Sequence, residues 1–143
     1  MHYVELCQSQ KCLTAIIELR YSVLRQPWNK SKDSATDDLE LLSKNAFVEI
    51  DSKIIACGRL QNNGDGIGQI RYMAISEEFQ RKGLGKLILE RLEDEARNLN
   101  LKKIELQSRE NACEFYKACG YTVEEKTFLL WDLIQHYKMT KLI

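Results

Sequence analysis

The stretch Gln80-Arg81-Lys82-Gly83-Leu84-Gly85-Lys86 decides how the rest of the chain is read. It follows an apolar run from Ile67 to Ile75 after a short connection. It opens a segment in which Leu84, Leu87, Ile88, Leu92, Ala96 and Leu99 recur at helical spacing. The first N–H groups of such a helix have no internal acceptor and sit at the positive end of its dipole. An anion placed there is stabilised. Gly83 and Gly85 remove Cβ atoms, so backbone can approach phosphate oxygens closely, and Arg81, Lys82 and Lys86 add charge at the same place. A Walker-type loop would need glycine where Gln80 stands and Ser or Thr at Leu87, and a dinucleotide fingerprint would need Gly or Ala at Ile88. Two readings remain: a phosphate cradle of another kind, or a glycine-eased helix start with solvated cations.

Upstream, Tyr3 to Cys7 is a short strand and Ser9 caps a helix carrying Leu13, Ile16, Ile17, Val23 and Leu24. Pro27 ends that helix, because proline disfavours α geometry in the residue before it. Trp28 to Asp38 is polar and loop-like, with a short helical turn at Leu39 to Leu42. Ala46 to Ile50 and Lys53 to Leu60 form a hairpin around Asp51-Ser52. Asn62 to Gly66 turns the chain into the strand that precedes the glycine loop. Downstream, Lys103 to Gln107 is a strand. Ala112, Phe115, Tyr116 and Cys119 fall on one buried helix stripe that Gly120 ends. Tyr121 to Leu130 and His136 to Leu142 are closing strands. The order is β-α-(α)-β-β-β-α-β-α-β-β, a mixed α/β sheet.

At 143 residues the chain is read as one domain, residues 1–143. Its 21 basic and 21 acidic residues cancel, which disfavours the strongly basic surface of a nucleic-acid binder. No apolar run approaches the roughly 18–20 residues of a membrane span, and Met1 to Glu5 lacks the pattern of a secretory leader. The five cysteines are odd in number and form no C-x-x-C pair, so they are expected to be reduced thiols of a cytoplasmic protein. With only two histidines and no thiolate or H-E-x-x-H spacing, no metal site is expected.

In this context the chain resembles the GNAT superfamily of acyl-CoA-dependent N-acyltransferases, most of all its ElaA-like branch. Gln80 to Gly85 is similar to that family's Q/R-x-x-G-x-G/A coenzyme A motif, and Gln69 to Ile75 to its fourth strand. Asn111 to Tyr121 resembles its A-x-x-x-Y-x-x-x-G-F segment. The ending His136-Tyr137-Lys138-Met139 and the run Leu19 to Arg25 are similar to the ElaA-like branch. The resemblance implies a mostly antiparallel sheet flanked by helices, with its fourth and fifth strands splayed, and an N-acetyltransferase that uses acetyl-CoA. Pantetheine would lie along Met73, Ala74 and Ile75. Gln80, Arg81, Lys82, Gly83, Leu84, Gly85 and Lys86 would contact the coenzyme, with the pyrophosphate on the N–H groups from Arg81 to Lys86. Asn111 would be a pantetheine or loop contact, or Arg109 would meet the coenzyme. Tyr116 would serve the leaving thiolate and touch the coenzyme, with His136 as the base.

An unperturbed tyrosine, with a pKa of about 10, can donate to a thiolate without ionising first. The bland alternatives are a core tyrosine and a packing histidine. Glu49, Glu105 and Glu125 are further candidates for a base acting through water, since Gln69 stands where many relatives carry a glutamate. Arg20, Tyr21, Trp28 and Arg71 are expected to line the acceptor pocket. The resemblance implies a small-molecule or peptide primary amine as acceptor and direct transfer within a ternary complex. No nucleic acid, membrane or metal is expected to take part, and a homodimer is left open. Three rivals also stay open: an acyl-CoA sensor without turnover, a toxin-like enzyme acting on aminoacyl-tRNA, and an unrelated α/β nucleotide binder.

Overall fold

Asp51 and Ser52 both take positive φ, 51° and 64°, as do Asp65 and Gly66 at 56° and 78°. Two central residues with positive φ match the right-handed twist of antiparallel strands, so each pair closes a tight hairpin. In the computed structural model, which describes residues 3–143, these turns join β2 (Lys44–Ile50), β3 (Lys53–Gly64) and β4 (Ile67–Ile75) into a meander. Met1 and His2, the start of the segment read as lacking a leader, lie outside the described residues. With β1 (Glu5–Leu6), β5 (Lys103–Arg109), β6 (Thr122–Leu130) and β7 (Ile134–Leu142) the strands make a seven-stranded sheet in the order β1-β2-β3-β4-β5-β7-β6. All neighbours are antiparallel except β4 and β5.

Helices cover both faces. The apolar stripe of α2 (Leu84–Asn98) buries Leu84, Ile88, Leu89, Leu92 and Ala96 against one face, together with α3 (Cys113–Ala118). Full burial of each leucine or isoleucine contributes about 2 kcal/mol. On the other face α1 (Gln10–Arg20) packs Ile16 and Leu19 on Phe47, Cys57 and Ala74. Ser9 caps α1 through its hydroxyl, which accepts from the Cys12 N–H at 3.1 Å.

Four readings of the sequence need correction. Helix α1 ends at Arg20, and Pro27 lies seven residues on, inside a 3₁₀ turn reached through a π-helical turn, Tyr21–Arg25. Strand β3 continues through Asn62 and Asn63, because its long edge pairs with β4 up to Gly64. Helix α3 starts only at Cys113, so Cys113 rather than Phe115 accompanies Tyr116 into the core. Phe115 is exposed, and Cys119 is half-buried.

Beneath α1 lies an ionic cluster that no local pattern announced. Arg20 and Arg59 are both fully buried. Arg20 donates to Glu40 at 2.6 and 3.1 Å and to Asn45 at 2.6 Å, while Arg59 donates to Asp37 at 2.9 Å. Burial alone would push the Glu40 carboxyl up. Hydrogen bonds from Arg20, Asn45 and Thr36 and the charge of Arg20 outweigh it and hold Glu40 at about 2. A carboxyl depressed on folding stabilises the protein above its unfolded value near 4.5 and loses that contribution as pH falls toward 2. The loss is about 3 kcal/mol, a large part of a typical domain's stability. Urea titrations between pH 6 and pH 2 are expected to show this decline. Glu40→Gln is expected to be less stable at pH 6 by about 3 kcal/mol, with a flatter acid profile.

Candidate active site

The parallel β4–β5 ladder is short. It runs from Ile67 opposite Lys103 to Ile70 opposite Leu106 and then stops, while β4 continues on β3 to Ile75 and β5 on β7 to Arg109. A bulge explains the parting. The β3–β4 register shifts between Cys57 and Arg59, and Tyr72 takes φ 56°. An extra residue reverses the two-residue alternation of a strand. Ile70 therefore faces the α2 core, but beyond the bulge Met73 and Ile75 do so, and Ala74 turns to α1. The Tyr72 ring is held on the α1 side beneath the guanidiniums of Arg20 (4.5 Å), Arg59 (4.9 Å) and Arg71 (4.7 Å).

The parted strands open a cleft of about 350 Å³. Tyr116 and His136 line it from opposite sides of the sheet's central opening, with Met73, Ser108 and Arg109 on the strands between. Tyr116 is buried except at the cleft, its ring edge-on to Phe115 and Tyr121. Burial raises its hydroxyl well above the usual tyrosine value, so it is a donor and not a base at neutral pH. The His136 ring stacks on Phe128 at 4.4 Å and donates from Nδ1 to the Ile134 carbonyl at 3.0 Å. A carbonyl only accepts, so the proton of the neutral ring is on Nδ1 and Nε2 keeps its lone pair. Burial first, and then the charges of Arg109 and Arg25, lower the His136 pKa, although the Ile134 bond works the other way. The cleft thus presents a protonated phenol and a neutral imidazole to one space, a pairing suited to donating and accepting one proton each.

The glycine loop lies at the end of β4. Gln80 donates from Nε2 to the Ile75 carbonyl at 3.1 Å and so ties the loop to that strand. Gly83, at φ 81°, is the N-terminal cap of α2 and lends no side chain to its first N–H groups. A Cβ on Gly83 would meet nothing within 4 Å, so the requirement there is conformational. Gly85 has another reason: a Cβ there would sit 2.9 Å from Cζ of Phe115. Exposed Phe115 therefore lies over the first turn of α2, a packing constraint hidden within the motif.

Of the four residues expected in the acceptor pocket, Arg71 lines the cleft while donating to Asp37 at 2.8 Å. Trp28 lies outside the lining and meets it only through Arg109, whose guanidinium sits over its ring at 4.6 Å; its ring is 6.2 Å from Trp131. Arg20 does not reach it: fully buried, it belongs to the Glu40 cluster. Tyr21 faces Lys32 at 5.6 Å, outside the lining. Asn111 is exposed and also outside it. None of the three glutamates lines the cleft, and Glu105 faces Asn63 and Lys138 instead. Residues with no local signal complete the site. Arg25 comes from the π-helical turn and Phe128 and Leu130 from β6, while Trp131, from the turn after β6, lies outside the lining under Arg25.

The model of the acetyltransferase (GNAT) family matches residues 13–121. The uncharacterized N-acetyltransferase YjcF of Bacillus subtilis is 25% identical over 136 residues, 95% of this chain and 96% of that protein. Among solved structures, ElaA of Escherichia coli superposes with a TM-score of 0.79 at 17% identity, covering 99% of each chain. A Bacillus subtilis acetyltransferase in complex with CoA gives 0.80 at 16% identity, covering 100% of this chain and 99% of that one. The splayed sheet, the glycine loop and the matched sequence agree: the chain belongs to the GNAT family of acetyltransferases and is an acyltransferase.

Proposed function

We propose that residues 1–143 form one N-acetyltransferase domain that moves an acetyl group from acetyl-CoA directly to a primary amine within a ternary complex. The observation that carries this reading is the end of the β4–β5 ladder at Ile70–Leu106, beyond which lies a cleft lined by Met73, Tyr116 and His136. Pantetheine lies along Met73 to Ile75, and the pyrophosphate sits on the N–H groups from Arg81 to Lys86, helped by the Lys82 and Lys86 charges. The coenzyme-bound relative supports a coenzyme A donor. The amine nitrogen attacks the thioester carbonyl carbon, and a backbone N–H near Ala74 or Ile75 steadies the oxyanion. As the C–N bond forms, the amine proton passes to Nε2 of His136. As the C–S bond breaks, the thiolate is met by the Tyr116 hydroxyl. All five thiols are unpaired, which fits a reducing, cytoplasmic setting.

Thermal melting with acetyl-CoA, coenzyme A or ATP, paired with an assay of free thiol released with an amine panel, tests the reading. A ligand at about 100 times its dissociation constant adds about 2.7 kcal/mol, enough to raise the melting temperature by several degrees. The expected result is a shift with both coenzyme forms but not ATP, and amine-dependent thiol release. A shift without release for any amine would point to a sensor. No shift would remove the donor site.

A further inference from the structure

Five arginines surround the bulge and the cleft, and they fall into two groups. Arg20, Arg59 and Arg71 each pair with Asp37 or Glu40. Arg25 and Arg109 pair with no carboxylate among the described residues, although both line the cleft. Instead they converge on one atom. Nη1 of Arg25 and Nη2 of Arg109 each donate to the Leu24 carbonyl at 3.0 Å. Aromatic faces fix both heads, Trp28 for Arg109 at 4.6 Å and Trp131 for Arg25 at 5.3 Å. No Asp or Glu lines the cleft.

Two half-buried cations held side by side without a counter-ion repel each other and have lost part of their hydration. The strain registers on Arg109, which burial and then the Arg25 charge lower to about 10. Burial likewise lowers Arg25, with the neighbouring cations Arg71 and Arg20 acting in the same direction and Tyr72 against them. Such an arrangement is relieved by an anion. The remaining donors of two guanidiniums held over indole rings suit a carboxylate or phosphate oxygen pair. The coenzyme does not supply that anion under the reading above. Its phosphates belong on the loop at residues 81–86, none of which lines this cleft, and pantetheine is uncharged.

We infer that Arg25 and Arg109 clamp an anionic group of the acceptor, so that the substrate is a small primary amine bearing a carboxylate or phosphate, such as an amino acid or an aminoalkyl phosphate. The inference rests on the cleft being the acceptor site of an acetyltransferase. The clamp holds the acceptor by its anion and leaves its amine free. It also disfavours polyamines and lysines in basic peptides, since cationic substrates find no carboxylate in the cleft.

The test has two arms. In the first, initial rates are compared within matched pairs: amino acids against their carboxamides, phosphoethanolamine against ethanolamine, with putrescine as a cationic control. The anionic member is expected to have the higher kcat/KM by about 10- to 100-fold, the range of a charge-assisted contact. The better pair tells carboxylate from phosphate. Arg109→Met and Arg25→Met are expected to raise acceptor KM by a similar factor and erase the preference, with acetyl-CoA KM unchanged. Arg109→Lys, which keeps the charge, is expected to retain part of the preference. Equal use of anionic and neutral amines, or a loss of acetyl-CoA affinity in the variants, would overturn the clamp.

The second arm needs no turnover. With coenzyme A saturating, inorganic phosphate is expected to raise the melting temperature of the wild type but not of the Arg25→Met/Arg109→Met double variant. The same response in both proteins would also overturn the clamp. Failure of coenzyme A itself to shift the melt would instead count against the acetyltransferase reading, and the two failures are distinct.

Discussion

Gly83→Val is expected to weaken coenzyme A binding on the order of 100-fold while the protein still folds. Gly83 holds φ 81°, a left-handed geometry that costs a residue with Cβ about 1–2 kcal/mol. Open space around the position means that valine meets no clash, so the loop can relieve the strain by leaving that geometry. Leaving it turns the α2 N–H groups away from the phosphates, and hydrogen bonds to a charged group are worth about 1.5–3 kcal/mol each. A titration by calorimetry checks the affinity, and a melt without ligand checks the fold, where a loss of only about 1–2 kcal/mol is expected. Unchanged affinity would take the loop out of the coenzyme site. Gly85→Ala is the informative contrast. Its methyl would press on Phe115, so its damage should appear in the ligand-free melt as loosened contact between α2 and α3.

His136→Asn is expected to lower kcat by about 10²- to 10³-fold, the range of a lost general base. Asparagine can still donate to the Ile134 carbonyl but cannot take a proton. The pH profile carries the sharper signature. Burial and the neighbouring arginines disfavour the imidazolium, so the folded His136 pKa lies below the ordinary 6.5. The base is therefore free at neutral pH, and the wild-type rate is expected to fall on an acid limb centred below 6.5. In His136→Asn that limb disappears. Tyr116→Phe, which removes a donor and no base, is expected to cost about tenfold in kcat and leave the acid limb and acetyl-CoA affinity in place. An acid limb that survives in His136→Asn would move the base role to ordered water.

The strands, α2 and the glycine loop could be read because each is a local statement. Apolar spacing separates a strand from a helix, and Asp65-Gly66, Gly83 and Gly120 are among the places where the backbone takes positive φ. Of the proposed site residues, Tyr116 and His136 lie on such elements and line the cleft, and residues 80–86 form the loop that opens α2. Arg20 shows where that reading stops. Its position on α1 suited either face, and only the return of Glu40 and Asn45 from later in the chain draws it into the core. Phe115 shows the same limit, since helical spacing assigned it to the core but the helix begins two residues before it.

By itself, then, the sequence determined the order of the main elements, the placement of the glycine loop proposed to hold the pyrophosphate, and the two side chains proposed to handle protons. Tertiary structure decided what surrounds them. The bulge at Tyr72 parts β4 from β5 because one extra residue shifts the pairing, and no composition rule announces a bulge at a tyrosine. The meeting of Arg25 and Arg109 at Leu24, 84 residues apart in the chain, depends on the sheet carrying β5 beneath the π-helical turn. Whether an arginine is paired or left open to a ligand is a property of its neighbours in space. Residues with identical side chains therefore became a structural tie at Arg20 and a candidate anion clamp at Arg25 and Arg109.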